Sequence, residues 1–311
     1  YEIVKTNSSK IVGKNKEMII YKNTNIEIHE NDSIFCHSSF IKELFFHLKK
    51  IKNLNNLKLI TSQSDVQINK KLFSKKPDCI SEWYSINVNY KAENLIPIPL
   101  GLANNYSPKN IRFLDLINNN LIEEKKINKI YCNFNPNTND KERQTIFHMS
   151  EKDENFSFDQ PTLSIDKYIK RIKKHKYVLA PWGNGFDTHR VWEALYSGSI
   201  PITKYHHTYS TSTDLPILFV NNYLEITNDL LNNFYKNICD KDLNFNKLNI
   251  KTWFLQINSN QVESSNSEII LEKKVGSNLF RYNLKTRSKI MSYIKKIKYI
   301  FKQVLKLKKF L

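Results

Sequence analysis

Between Tyr177 and Ile202 the chain passes from an apolar run to a glycine-flanked turn, then to a helical pattern, a glycine stop and a second apolar run. Tyr177-Val-Leu-Ala180 reads as a short buried strand, Gly183-Asn-Gly185 as the turn, Thr188 to Ser197 as a helix stopped by Gly198, and Ile200-Pro-Ile202 as the next strand. A strand, a helix and a strand in that order point to a mostly parallel sheet, and ligands of open α/β sheets sit where strands cross into helices. That crossing is the first place to look for chemistry.

Only six glycines occur in 311 residues, and two of them fall in this one tripeptide. Without a β-carbon both can take positive φ and let the backbone come close to a ligand, while the N–H groups opening the next helix present partial positive charge. A diphosphate held this way needs no metal. Arg190 and Glu193 stand three residues apart on one helix face, with Asp187 and Thr188 at its amino end. Arg190 suits a phosphate, and Glu193 suits a ribose diol because a carboxylate accepts two hydrogen bonds well. The plainer alternative makes Asp187 an N-cap, Arg190 and Glu193 a surface ion pair, and the glycines a tight turn. A lone Gly-x-Gly is weak, so the weight lies in the combination.

The same α/β alternation extends to both sides. Ser33-Ile-Phe-Cys36 and Leu57-Lys-Leu-Ile-Thr61 read as strands around a helix from Ser39 to Ile51, and the loop Ser62-Gln-Ser-Asp65 follows the second strand's carboxyl end. Leu95 to Gly101 carries Pro97 and Pro99, so it can be only an edge or exit strand. Asn105 to Lys126 turns polar around an amphipathic stretch, Ile111 to Ile122, and is the candidate connection between domains. A second series follows it: strand Lys129 to Phe134, helix Lys141 to Met149, helix Ser164 to Lys174 with Ser164 as N-cap, the segment above, strand Ile217 to Val220, and helices near Leu224–Tyr235 and Leu248–Gln256.

Charge narrows the partners. The net charge is +18, yet ten Lys or Arg and no acid lie between Lys285 and Leu311, so more than half of the surplus is local. From Ser288 onward Ile290, Ile294, Ile297, Phe301, Val304 and Leu305 recur at three- and four-residue steps between lysines, a basic amphipathic helix suited to an anionic membrane surface. No recognisable nucleic-acid reader module accompanies the charge, although the patch Lys170 to Lys176 keeps a non-enzymatic RNA- or DNA-binding protein as the rival class. Cys36, Cys79, Cys132 and Cys239 are widely spaced and read as free, buried thiols of a reducing compartment.

The run Tyr177-Val-Leu-Ala-Pro-Trp-Gly-Asn-Gly-Phe-Asp-Thr-His-Arg-Val-Trp-Glu-Ala-Leu-Tyr-Ser-Gly-Ser-Ile-Pro-Ile202 resembles the donor-site signature of exostosin-like glycosyltransferases, including bacterial and viral relatives. Trp182, and Thr203 after the last isoleucine, depart from that pattern. Weaker echoes at Ser62–Asp65, Trp83–Asn87, Ile98–Leu102 and Asn133–Asn139 with Arg143 extend the resemblance over roughly residues 30 to 260. It implies a GT-B-like α/β fold of two Rossmann-like domains facing across a cleft. An acceptor-binding domain would span residues 1–124, a nucleotide-sugar donor domain 125–265, and the basic tail 266–311.

By the same resemblance the chain transfers a sugar from a nucleoside-diphosphate sugar to a glycan or lipid-linked acceptor, with inversion, as part of surface polysaccharide or glycoconjugate synthesis. A fucosyltransferase-like enzyme on the same fold is the near alternative. The expected donor-site residues are Arg143, Gly183, Asn184, Gly185, Asp187, Thr188, His189, Arg190 and Glu193, with Arg143 and Arg190 stabilising the leaving group. Asp65 is the candidate base and His37 the second choice; Trp182 is the aromatic expected to touch ligand, whereas Trp192 is expected in the core. No cofactor or metal is expected: Asp240-Lys-Asp242 reads as solvated surface, and His206-His207 points its rings apart with no third ligand near. The expected location is the cytoplasm, peripheral to the membrane.

Overall fold

A computed structural model of the chain describes residues 10–14, 19–22, 25–103, 110–118, 125–258, 269–272 and 293. The basic helix expected over Ser288–Leu311 lies outside the described residues, Tyr293 excepted. Strands β1 (Lys10–Lys14) and β2 (Ile19–Lys22) pair antiparallel, and β3 (Asn25–Ile28) pairs antiparallel with Ile269–Glu272. A separate compact unit, Glu30–Ser265, holds the two sheets that matter for function.

The first sheet draws on strands β4 (Ser33–His37), β5 (Leu57–Ser62), β6 (Ile68–Asn69), β7 (Ile80–Ser85), β8 (Val88–Asn89) and β9 (Leu95–Pro97). Its order is β4-β5-β7-β9, all parallel, while β6 and β8 form a small parallel pair beside it. β9 lies at the edge, where its proline costs no ladder hydrogen bond, as the sequence requires. The expected helix from Ser39 divides into a 3-10 turn, Ser38–Phe40, and α1 (Ile41–Leu48), which buries Ile41, Phe45 and Leu48.

β7 is the longest strand of this sheet that sequence reading misses, because Ser81, Glu82 and Ser85 interrupt its apolar run. Its polar groups are satisfied internally. The Trp83 indole N–H donates to Thr61 Oγ1 at 2.8 Å, and Thr61 Oγ1 donates to Ser85 Oγ at 2.7 Å. Trp83 is fully buried, edge-on to Phe45 at 5.3 Å and stacked on Phe73 at 6.2 Å. Phe73 ends the short helix α2 (Lys70–Phe73).

After α3 (Phe113–Asn118) comes the second sheet, built from β10 (Ile127–Cys132), β11 (Phe156–Phe158), β12 (His175–Leu179), β13 (Ile200–Lys204) and β14 (Leu218–Val220). All pair parallel in the order β11-β10-β12-β13-β14. Side chains of successive strand residues point to opposite faces, and the helices divide accordingly. On one face α4 (Asp140–Lys152) and α7 (Asn228–Cys239) pack Ile146, Leu231 and Ile238 against Ile130, Cys132, Tyr177, Leu179, Ile200 and Ile202. On the other, α5 (Ile165–Lys174) brings Tyr168, Ile169 and Ile172, and α6 (His189–Tyr196) brings Ala194, onto Tyr131 and Val178. A last helix, α8 (Ile250–Asn258), follows.

The unit is thus α/β with two parallel, Rossmann-like halves, the GT-B-like arrangement that the resemblance implies. The order in which strands are added switches sides at β10, with β11 on one flank and β12 on the other, and such a switch opens a crevice at the carboxyl ends of β10 and β12. Cysteine burial differs from expectation: only Cys132 is buried, Cys36 and Cys79 are half-buried, and Cys239 is exposed. Trp83→Ala is expected to destabilise the chain by about 3–5 kcal/mol through cavity formation. A urea titration by fluorescence and circular dichroism measures this, and an unchanged midpoint would contradict the packing described.

Candidate functional site

A cavity of about 740 Å³ lies at the carboxyl ends of both sheets. From the first half it is lined by Ser62–Asp65 after β5, Ile86 after β7, and Leu100 and Leu102 after β9. From the second it is lined by Asn133 and Asn135 after β10 and by the segment Gly183–Glu193 after β12. Every donor-site residue expected from the sequence, and Asp65, is on its wall. His37 is not among the lining residues; its Nδ1 accepts from Ser39 N at 3.2 Å as a helix cap. Trp182 is also turned away, with its indole N–H donating to Lys204 O at 3.3 Å and its ring edge-on to Phe186 and His206. Trp192 is buried, as expected.

The glycines act differently from expectation. Neither Gly183 nor Gly185 has positive φ; among the described glycines that conformation belongs to Gly101 and Gly198, both at φ +69°. Gly183 N–H donates to Gly185 O at 3.1 Å, so it is spent on the turn itself. What the missing β-carbons admit is protein. A Cβ on Gly183 would stand 3.3 Å from Arg143 Nη2, and one on Gly185 would stand 2.6 Å from Asn87 Oδ1.

Arg143 is correspondingly a strut. Its Nε donates to Trp182 O at 2.8 Å, Nη2 to Pro181 O at 2.9 Å and Nη1 to Asn135 O at 3.1 Å. The guanidinium thereby ties the loop after β10 to the loop after β12, the two banks of the crevice. Burial first, and the nearby Arg190 second, lower its pKa to about 10, so it stays charged at neutral pH. Three of its five N–H groups are used on carbonyls, so what it presents to the cavity is chiefly its charge.

Asp187 is not the N-cap, and both its carboxylate oxygens bond within the protein. Its Oδ2 accepts from Leu100 N at 2.8 Å and its Oδ1 from the Trp192 indole at 2.7 Å, so it bolts the first half's exit loop to α6. Thr188 is the N-cap position and makes no side-chain capping bond; its hydroxyl is buried without a partner. His189 Nδ1 lies 2.8 Å from Gly101 O, and because a carbonyl can only accept, that nitrogen carries the hydrogen.

Arg190 and Glu193 form no surface ion pair. Glu193 is buried, with Oε1 accepting from Ile111 N at 3.1 Å and Oε2 from Tyr168 Oη at 2.8 Å. Each oxygen retains one further lone pair. Arg190 Nε is buried and makes no hydrogen bond, while its guanidinium carbon sits 6.0 Å from the Tyr168 ring centroid. Burial opposes its charge, but Tyr168 and Glu193 outweigh that and raise its pKa. Ser164 and Thr188, the N-caps of α5 and α6, both lack a side-chain capping bond, and Ile165, His189 and Arg190 of the two first turns line the cavity. Two helix amino ends and two guanidinium groups thus converge on one crevice, a field suited to an anion.

Tyr168 was not singled out in the sequence, and Asn87 and Asn133 fall in segments that carry the resemblance but were not named as site residues. Asn133 Nδ2 donates to Gln160 O at 3.0 Å, which orients its amide at the end of β10. Among the described residues no group of three or more His, Cys, Asp or Glu side chains could hold a metal ion, and His206 is stacked on Phe186 at 3.7 Å with its pKa lowered by burial to about 4. Asp240 and Asp242 are exposed.

No family model and no curated protein matches this chain. Among solved structures it is similar to an α1,3-fucosyltransferase, at a TM-score of 0.33 and 13% identity, over 75% of this chain and 91% of that one.

Burial pushes the Asp187 carboxyl up to about 7, above its ordinary value, despite the N–H groups that bond it. The folded state therefore binds the proton more tightly than the unfolded one. Its contribution to stability is full below the ordinary carboxylate pKa and is lost as pH rises through 7. Thermal midpoints of wild type are expected to fall from about pH 5 to about pH 8 by more than those of Asp187→Asn, which cannot ionise. Parallel pH profiles for the two proteins would contradict this.

Proposed function

We propose that the chain is a glycosyltransferase whose donor, a nucleoside-diphosphate sugar, binds in this cavity with its diphosphate against Arg190 and the amino ends of α5 and α6. The observation that carries the reading is Arg190: a guanidinium whose Nε is buried and bonded to nothing, between two helix ends that lack side-chain caps. An unpaired buried donor is costly unless something supplies the acceptor, and a phosphate oxygen does so with charge assistance. Glu193, already oriented by Ile111 and Tyr168, has lone pairs left for a ribose hydroxyl.

Transfer then needs a proton acceptor for the incoming hydroxyl and a stabilised leaving diphosphate. Asp65, exposed on the opposite wall after β5, is the proposed base. Attack from that wall, opposite the helix ends that hold the diphosphate, gives inversion at the sugar carbon. The converging positive charges replace a metal in neutralising the leaving group. The acceptor is a glycan or a lipid-linked saccharide, and the basic segment Lys285–Leu311 is proposed to hold the enzyme on the anionic cytoplasmic membrane face.

Calorimetric titration with UDP, GDP and their sugars tests the donor site. Wild type is expected to bind at least one of these saturably. Arg190→Gln should weaken it by about tenfold or more while leaving the bare nucleoside unaffected, the size of one charge-assisted hydrogen bond. Saturable, salt-sensitive binding of single-stranded oligonucleotide with no binding of any nucleoside diphosphate would instead favour a nucleic-acid-binding protein. Separately, Asp65→Asn should abolish transfer while leaving donor affinity within about twofold, the signature of a group that acts only in the chemical step. Undiminished transfer would remove Asp65 from the mechanism.

A further inference from the structure

Asn87 belongs to the first half of the unit, in the turn between β7 and β8, yet its side chain is embedded in the turn that follows β12. Its Oδ1 accepts from Asp187 N at 3.0 Å, across 100 positions of sequence. The amide lies so close to Gly185 that a β-carbon there would stand 2.6 Å from Oδ1 and 2.7 Å from Nδ2. Asn87 itself is 1% exposed and holds φ at +52°, a left-handed conformation that asparagine tolerates better than most residues. Two unusual residue choices, a left-handed Asn and a Gly without positive φ, thus answer one contact.

A packing role alone accounts poorly for this arrangement. Nδ2 is buried and has no hydrogen-bond partner, a cost that an apolar side chain would avoid. The neighbouring residues on both sides of the contact are cavity wall: Ile86 precedes Asn87, while Asn184 and Thr188 bracket Gly185 and Asp187. One peptide bond links Ile86 on that wall to the peg, and one hydrogen bond links the peg to the turn.

We propose that Asn87 is a positioning residue, a peg from the first half that sets the shape of the Gly183–Thr188 turn and so couples occupancy of the acceptor side of the cavity to grip on the donor. This rests on the reading of the cavity as a nucleotide-sugar site, but the peg itself can be tested without ligand.

Asn87→Gly keeps the left-handed backbone accessible and removes only the side chain. In the full-length chain, amide hydrogen exchange of the peptide covering residues 183–188 is expected to quicken by about tenfold, as for loss of one buried hydrogen bond. Exchange in β12 and β13 should stay unchanged. Gly185→Ala should disturb the turn strongly in wild type and much less in the Asn87→Gly background, because the clash needs both partners. Unchanged turn exchange in Asn87→Gly, or additive effects of the two substitutions, would overturn the proposal.

Calorimetry with UDP and GDP completes the test. Asn87→Gly should weaken nucleoside diphosphate binding, whereas Asn89→Ala, which removes another bond between the halves at His206, should not. Wild-type affinity in a variant whose turn has loosened would overturn the coupling. Failure of the wild-type chain to bind either diphosphate would sink the nucleotide-sugar reading and with it the coupling, leaving the peg to stand or fall on the exchange data.

Discussion

The guanidinium of Arg143 holds the site together. It takes the carbonyls of Asn135, Pro181 and Trp182, and so fixes the distance between the loops that leave β10 and β12, where the order of strand connection switches sides. Carbonyls satisfy its geometry without cancelling its charge, and burial leaves that charge poorly screened. A β-carbon at Gly183 would stand 3.3 Å from Nη2, so the guanidinium would have to shift by a few tenths of an ångström. The crevice thus has a cation already built into its wall.

Around that wall the two halves are joined by polar contacts in which one partner is usually backbone. Leu100 N–H meets Asp187, Asp187 N–H meets Asn87, Gly101 O meets His189, and Thr211 Oγ1 donates to Pro97 O at 2.8 Å. Such contacts are directional and specify one closure, whereas an apolar interface would tolerate sliding. The cost falls on Asp187, whose carboxylate is buried near neutrality. Its strong bonds to Leu100 and Trp192 offset part of that cost and place α6, which carries Arg190 and Glu193, relative to the first half.

How much of this could be read from the sequence follows from what each residue bonds to. The strand, turn and helix from Tyr177 to Ser197 were legible because apolar periodicity and glycine punctuation both mark them. β7 was hidden by Ser81, Glu82 and Ser85, the last of which is buried on the strength of its bonds to Thr61 in the neighbouring strand. β11, only Phe156–Phe158, is too short to carry a period. In the site, Arg190 and Glu193 were legible from helical spacing, while the meaning of Gly185 was not, because its reason is a side chain 98 positions earlier. Arg143 could be named but its bracing of the two loops was not legible, for bonds to backbone carbonyls leave no pattern in side-chain sequence.

The central claim is that the crevice between the two sheets holds a nucleoside diphosphate by its phosphates. A crystal structure of the chain grown with UDP or GDP tests it most directly. Phosphate oxygens are expected within hydrogen-bond distance of the Arg190 guanidinium and of the first-turn amides of α6, with Arg143 still bonded to its carbonyls. A nucleotide bound elsewhere, or phosphates turned away from Arg190 and α6, would contradict it.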